Sequence, residues 1–265
     1  MIATAETGRG ASPARIPDGA TLDPAALVSL RGIKLTFGSH QALRGVDLDI
    51  RAGECLALLG DNAAGKSTLS KVISGTYIPD AGTISVEGEE VRFAGPNDAR
   101  SRHIEMVFQD LALCDHIDVV GNLFLGREIR KGPFLDQKAM LARAQDMLDA
   151  LEIRIPRLTA KVEKLSGGQR QAIAIARAAS FQPKVLIMDE PTSALAVAEV
   201  EAVLALINRV KAKGVGVVLI THRLQDVFRV CDRIAVMYEG TKVAERMTRD
   251  TNLEEVVQLI TGGHR

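Results

Sequence analysis

Residues Gly60-Asp61-Asn62-Ala63-Ala64-Gly65-Lys66-Ser67-Thr68 fit the pattern G-x-x-x-x-G-K-[ST], and no other stretch constrains the fold as much. The pattern works only between a buried strand and a helix. Its backbone N–H groups must wrap an anion at a helix N-terminus, where the dipole favours negative charge. Both flanks are present. Glu54-Cys55-Leu56-Ala57-Leu58-Leu59 is a mostly apolar run of strand length, and Thr68-Leu69-Ser70-Lys71-Val72-Ile73 opens a helical pattern. An α/β fold is therefore expected, with a polyphosphate held by the amides of residues 60–68. Lys66 would reach the β- and γ-phosphates and Ser67 would bind Mg²⁺.

Other apolar runs also end in polar residues. Ile104 to Gln109 reads as a strand with Gln109 at its carboxyl end, where ligands sit in open α/β sheets. Gln109 is either a contact to Mg²⁺ and the attacking water or an ordinary loop amide. Val185-Leu186-Ile187-Met188 is apolar throughout, hence buried on both faces, and it ends in Asp189-Glu190. Strand alternation points the two carboxylates apart, so one can serve the Mg²⁺ shell while the other faces the γ-phosphate. Unpartnered carboxylates are costly at such a place. Val215 to Thr221 is a further buried strand, and His222 stands at its end. Position is the sole argument for His222. Phe37, closing the partly alternating run from Leu27, either stacks on a nucleotide base or is a core residue, and its spacing favours the core. Leu165-Ser166-Gly167-Gly168-Gln169 opens another helix and has the small residues and hydroxyl of a second anion site.

Residues 1–26, rich in Ala, Gly, Pro and Thr, read as a mobile tail without a role, and residues 27–262 as the folded part. Leu27–Phe37 and Val46–Ile50 read as half-exposed antiparallel strands, and Val91-Arg92-Phe93 as pairing back onto Thr83–Glu87. Residues 111–164 read as a helical insertion, with Asp118 and Asp136 as N-caps. Its stripe of Met140, Leu141, Ala144, Met147, Leu148 and Leu151 reads as core. A helix is expected from Pro191-Thr192-Ser193 to Gly214, with Leu195 on its apolar face, and a terminal one over Thr251–Ile260. The 33 Lys+Arg balance 33 Asp+Glu, so no long-range field favours nucleic acid or an anionic membrane. Cys55, Cys114 and Cys231 lie far apart in sequence and read as inert thiols in an intracellular chain. No apolar run reaches the roughly 18 residues of a membrane span, and no secretory leader is visible.

Taken together, GDNAAGKST, the Gln after MVF, LSGGQ, the VLIMDE strand and a late His, in that order, resemble the ATP-binding cassette (ABC) transporter ATPases. The resemblance covers about residues 27–262. Within the family, GDNAAGKSTLSKVISGTYIPDAGTI, FAGPNDAR, MVFQDLALCDHIDVVGNLFLGRE and PTSALAVAEV are similar to bacterial monosaccharide importers of the ribose, fructose and xylose type. The resemblance implies a P-loop core with a mainly parallel sheet, an N-terminal antiparallel β subdomain and a helical insertion. It implies ATP and Mg²⁺ as ligands, and ATP sandwiched between the P-loop of one copy and LSGGQ of another. Phe37 would stack on adenine, and Gly60, Asp61, Asn62, Ala63, Ala64, Gly65, Lys66, Ser67 and Thr68 would hold the phosphates. Ser166, Gly167, Gly168 and Gln169 would act in trans. Ser67, Gln109 and, through water, Asp189 would serve Mg²⁺. Glu190 would be the general base or water-positioning carboxylate, His222 would contact the γ-phosphate, and Gln109 would also signal to the membrane partner. The implied partners are a second copy, integral membrane permease subunits and, indirectly, an extracytoplasmic sugar-binding protein, with no nucleic acid. The implied location is peripheral, on the cytoplasmic face of the bacterial inner membrane.

Two positions depart from the family pattern. Ala63 stands where Gly is frequent, and an Ala is strained there if the loop needs positive φ. Ala196 stands where many relatives carry an Asp that contacts the partner cassette near the catalytic water. A non-transport ABC machine is the alternative. A chromosome-type relative would insert long heptads between the P-loop and LSGGQ. A ribosome-type relative would carry a second cassette and a basic linker. A GTPase switch would need an N-K-x-D motif, which the chain lacks.

Overall fold

The computed structural model describes residues 25–262. The tail assigned to residues 1–26 lies outside the described residues as far as residue 24, and structure starts with β1 (Ala26–Phe37). β1 pairs antiparallel with β2 (His40–Arg51). After β3 (Cys55–Gly60) and α1 (Lys66–Ile73), β4 (Ala81–Val86) and β5 (Glu89–Val91) complete a sheet of order β2-β1-β4-β5. Next come α2 (Pro96–Ser101), β6 (Ile104–Val107), α3 (Val119–Phe124), a hairpin of β7 (Arg130–Lys131) and β8 (Phe134–Leu135), and α4 (Gln137–Asp149). α5 (Gly167–Ala179), β9 (Val185–Asp189), α6 (Val197–Ala212), β10 (Gly216–Ile220) and α7 (Leu224–Val230) follow. β11 (Arg233–Tyr238), β12 (Thr241–Met247) and α8 (Leu253–Ile260) end the described chain.

The second sheet has the order β12-β11-β3-β10-β9-β6. It is parallel except for β12, which pairs antiparallel with β11. β3, β9 and β10 are apolar on both faces because both faces are covered. Leu56, Leu58, Val185, Ile187, Val218 and Ile220 pack toward α1 and the antiparallel sheet. Cys55, Ala57, Leu59, Leu186, Met188, Val217 and Leu219 face the opposite core, which holds α3 to α8. A fully buried Leu such as Leu56 or Leu58 contributes roughly 1.5–3 kcal/mol. Both layers therefore pull the strand ends into fixed register.

The insertion is less purely helical than expected. Asp118 and Asp136 do cap α3 and α4, accepting from Gly121 N at 2.7 Å and Ala139 N at 3.0 Å. Between those helices lies the β7–β8 hairpin, whose two-residue strands are too short to show alternation. Leu141, assigned to the core stripe, is 42% exposed; Met140, Ala144, Met147, Leu148 and Leu151 are buried. No long coiled coil is present among the described residues: α4 is the longest helix of the insertion. α6 begins at Val197, later than the Pro191–Ser193 start expected. Glu190 and Ala194 take φ of 52° and 59°, so residues 191–194 form a turn that a helix cannot absorb.

Two long-range contacts tie these layers together. Arg233 on β11 is 2% exposed and binds Glu54, Glu245 Oε1 at 2.5 Å and the carbonyl of Asp49 at 2.6 Å. One guanidinium thus bridges the two sheets. The thiols of Cys55 and Cys231, distant in sequence, lie 3.4 Å apart. Burial, and then Cys55 itself, push the Cys231 thiol well above its ordinary range.

Candidate active site

The P-loop leaves β3 beside β11 through a gap that only glycine fits. Gly60 has φ of 147°, and a Cβ there would sit 2.2 Å from the carbonyl oxygen of Met237. Gly65, the N-cap of α1, has φ of 98° and similarly abuts the Ala42 carbonyl. Ala63 lies between them at φ 65°, the left-handed conformation that made this position notable. Ala64 is buried and fixes the loop, its amide donating to Asp61 O at 3.1 Å and its carbonyl accepting from Gly240 N at 3.1 Å. Lys66 Nζ folds over the loop and donates to the carbonyls of Gly60 and Asp61, each at 2.8 Å. Burial pushes this ammonium below its ordinary range, against the opposing pull of Glu190, Asp61 and Asp189. A half-buried cation under a turn of amides is built to receive anionic oxygens.

Register brings the neighbouring strand ends to the same edge. Ile220 of β10 lies opposite both Leu58 of β3 and Asp189 of β9. Asp189 is buried and faces the Ser67 hydroxyl. Its carboxyl is pushed up by burial and by Glu190, with Ser67, Lys71 and Lys66 opposing. Glu190 leaves the sheet through its positive φ, its amide donating to Ile220 O at 2.8 Å. Nδ1 of His222 is 2.9 Å from Glu190 Oε2, an ion-pair distance, yet off the line a hydrogen bond needs. That buried oxygen has no hydrogen-bond partner among the described residues. Gly60, Asp61, Asn62, Lys66, Glu190 and His222 line one cavity of about 490 Å³.

Val257, Ile260 and Thr261 of the C-terminal segment form the far wall of this cavity. Sequence reasoning missed that role, because the apolar stripe of α8 says only that something covers it. Phe37 corrects the core reading that its spacing favoured. It is 45% exposed and meets Tyr77 edge-on, ring centroids 5.2 Å apart. Gln109 is exposed just beyond β6, and Phe37 and Gln109 both stand outside the lining of the cavity.

The LSGGQ segment is not brought to the P-loop of its own chain. Ser166 caps α5 and forms a reciprocal capping box with Gln169. Ser166, Gly168 and Gln169 line a separate groove between α5, α6 and residues 152–155. Glu199 of α6, which the sequence reading passed over, accepts from the Gly168 amide at 3.0 Å.

A P-loop at the end of a parallel strand, with a buried Asp-Glu pair and a His on the adjacent strand ends, defines a nucleotide-hydrolysing protein. The family model described as "ABC transporter" matches residues 43–193. The chain is 47% identical over 235 residues to the xylose/arabinose import ATP-binding protein XylG of Sulfolobus acidocaldarius, covering 89% of this chain and 94% of that one. It is 43% identical over 244 residues to the fructose import ATP-binding protein FrcA of Rhizobium meliloti, with the same coverage. It spans about half of other similar proteins, such as 45% of the ribose import ATP-binding protein RbsA 1 of Streptomyces avermitilis, at 41% identity. Among solved structures, an ATP-binding cassette of an ABC transporter superposes with a TM-score of 0.78 at 27% identity, over 89% of this chain and 98% of that one. A dimeric cassette bound to ADP and Pi gives 0.72 at 26% identity, over 84% and 100%. The chain belongs to the ABC transporter family, and it is a nucleotide-binding ATPase of the cassette fold.

Proposed function

We infer that this ATPase powers import of a monosaccharide through an ABC transporter. The similar proteins named for xylose/arabinose, fructose and ribose import support that substrate class. The observation that carries the hydrolytic part is the pairing of Glu190 and His222 at the mouth of the P-loop cavity. Residues 27–262 act as one nucleotide-binding domain, and two copies close on ATP, the P-loop of each facing LSGGQ of the other. The separation of these two segments within one chain supports that arrangement.

Lys66 and the amides of residues 60–68 hold the phosphates, and Phe37 offers an exposed ring for the base. Glu190, with an unpartnered buried oxygen, positions the attacking water and accepts its proton. His222 holds the γ-phosphate against Glu190. Mg²⁺ fits the residues present. Ser67 and Asp189 converge, Gln109 stands nearby at the next strand end, and no trio of His, Cys, Asp or Glu among the described residues could hold a metal alone. A cation shared between a few protein oxygens and substrate phosphates is the usual Mg²⁺ arrangement, and it neutralises charge developing on the phosphates.

Permease subunits dock beside Gln109, in a groove of about 230 Å³ lined by Arg100, Glu105, Phe108, Arg127, Arg177 and Phe181. Arg177 pins the loop after Gln109 by donating to Leu111 O and Ala112 O, both at 2.8 Å. Such docking would hold the protein peripherally at the cytoplasmic face of the bacterial inner membrane and couple it to an extracytoplasmic sugar-binding protein. No helix among the described residues is long and apolar enough to cross a membrane. The test is ATPase stimulation of the reconstituted transporter across a panel of binding-protein and sugar pairs. Stimulation by a single monosaccharide class supports the reading, and indifference to every sugar overturns it.

A further inference from the structure

We propose that Glu199 is a built-in competitor for the phosphate that LSGGQ receives, and that its carboxylate must leave before two cassettes close on ATP. The proposal rests on the reading of Ser166 and Gly168 as phosphate donors in trans. Two amides converge on this one carboxylate. The Gly168 amide reaches Oε1 at 3.0 Å and the Ala196 amide reaches Oε2 at 3.2 Å, and the neighbouring Ser166 hydroxyl also favours its charged form. The Gly168 amide and the Ser166 hydroxyl are the same donors that the γ-phosphate of a partner's ATP would use. A single N–H cannot serve two anionic acceptors at this range, so the two occupants exclude each other.

The contact is a seated one. The space beside Gly168 is filled by Glu199: a Cβ at 168 would come within 2.8 Å of the Glu199 Cβ and Cγ. The carboxylate also lies at the N-terminus of α5, where negative charge is favoured, and the amide hydrogen bonds hold it below the usual carboxylate range. It is therefore a close chemical imitation of a phosphate oxygen pair. It is only partly buried and lines the groove of about 280 Å³ beside α5 and α6, which leaves it space to swing aside. Displacement exposes the amides without disturbing the interior. The apparent affinity of a site falls by the fraction of time that it is competent, and a closed dimer needs two such sites.

The experiment compares nucleotide-dependent dimerisation of the full chain in a Glu190→Gln background by light scattering across ATP concentrations. Glu199→Ala should lower the ATP concentration at half-dimerisation by roughly 3- to 10-fold. Glu199→Asp keeps the charge but is one methylene too short to reach Gly168, and should shift the midpoint in the same direction. Melting temperatures confirm that both variants fold. A midpoint that rises would make Glu199 a strut supporting the signature turn, and an unchanged midpoint would leave it idle; either overturns the proposal. Ser166→Arg separates the two layers of inference. If it abolishes dimerisation while the Glu199 variants match the parent, only the competitor role fails. If Ser166→Arg dimerises like the parent, or the parent never dimerises, the trans reading of LSGGQ fails and the competitor role falls with it.

Discussion

Nδ1 of His222 lies 2.9 Å from Oε2 of Glu190, although the two residues belong to the ends of different strands. The pairing follows from register: β9 and β10 run parallel, with Asp189 opposite Ile220, so the residues just past each strand end must meet. Replacing Glu190 with Gln keeps this shape and removes the base. We expect turnover to fall by about 10²–10⁴-fold while ATP affinity stays within about 3-fold. Equilibrium ATP binding alongside a phosphate-release assay checks this, and near-normal hydrolysis would remove Glu190 from its role.

Asp189 gives a pH-dependent prediction. Its folded-state pKa is raised, so the folded protein holds this proton more readily than the unfolded chain. The stability that protonation contributes is complete below the unfolded value and is lost as pH rises through the folded one. Wherever it is ionised in the folded protein, this buried carboxylate is therefore a cost. Asp189→Asn should raise the melting temperature of the nucleotide-free protein at pH 7, and the advantage over the parent should vanish near pH 4, the ordinary carboxylate range. The same variant should lose at least about 10-fold in Mg²⁺-dependent hydrolysis. Calorimetry across pH decides the first part; a variant less stable than the parent at pH 7 would contradict it.

Arg233 carries the largest expected stability effect. Its guanidinium is buried and joins Glu54, Glu245 and the Asp49 carbonyl across the two sheets. Removing one partner of a buried ionic group leaves the others uncompensated, so Arg233→Ala should cost ~3–5 kcal/mol in urea denaturation. A loss under ~1 kcal/mol would mean that water enters and solvates Glu54 and Glu245 instead.

The uneven legibility of this chain has a physical cause. The P-loop, the Asp189-Glu190 strand and LSGGQ were visible because each is a local pattern whose chemistry depends on neighbours in sequence. The start of α6 is not legible in the sequence because positive φ at Glu190 and Ala194 is set by tertiary packing, and neither residue type announces it. Glu199, the α8 wall and the Cys55–Cys231 contact were invisible for a related reason. Each joins elements far apart in the chain, and nothing in the residue types distinguishes Glu199 from any acid in the first turn of a helix. Phe37 departs by the opposite route: a strand-end aromatic usually packs inward, whereas this one stays exposed and meets Tyr77 in a T-shaped ring contact.

Ala63 tests how much strain the P-loop stores. An L-residue in the left-handed region costs roughly 1–2 kcal/mol, and Gly relieves that cost while giving back part of it as unfolded-chain entropy. Ala63→Gly should therefore stabilise the protein by ~0.5–1 kcal/mol, a rise of about 1–4 °C in melting temperature. The loop geometry already matches that of a glycine, so ATP affinity should stay within about 2-fold. A stability loss would show that the Ala63 methyl makes compensating contacts.

Ala196 opens α6 as its N-cap and offers no side-chain acceptor, so the amides of Glu199 and Val200 both rely on the Ala196 carbonyl, each at 3.0 Å. An Asp at this position adds a side-chain acceptor for the Glu199 amide beside the Ala196 carbonyl it already reaches at 3.0 Å, the usual geometry of an N-cap three residues from its donor. Ala196→Asp should add ~0.5–2 kcal/mol of stability, read by thermal or urea unfolding. It also places a second carboxylate close to Glu199, beside the donors of Ser166 and Gly168. Like charges there raise the cost of keeping Glu199 seated. The variant should consequently combine higher stability with ATP-driven dimerisation at lower nucleotide concentration, a pairing that simple helix capping does not produce. Higher stability with an unshifted dimerisation midpoint would reduce Ala196→Asp to a cap alone.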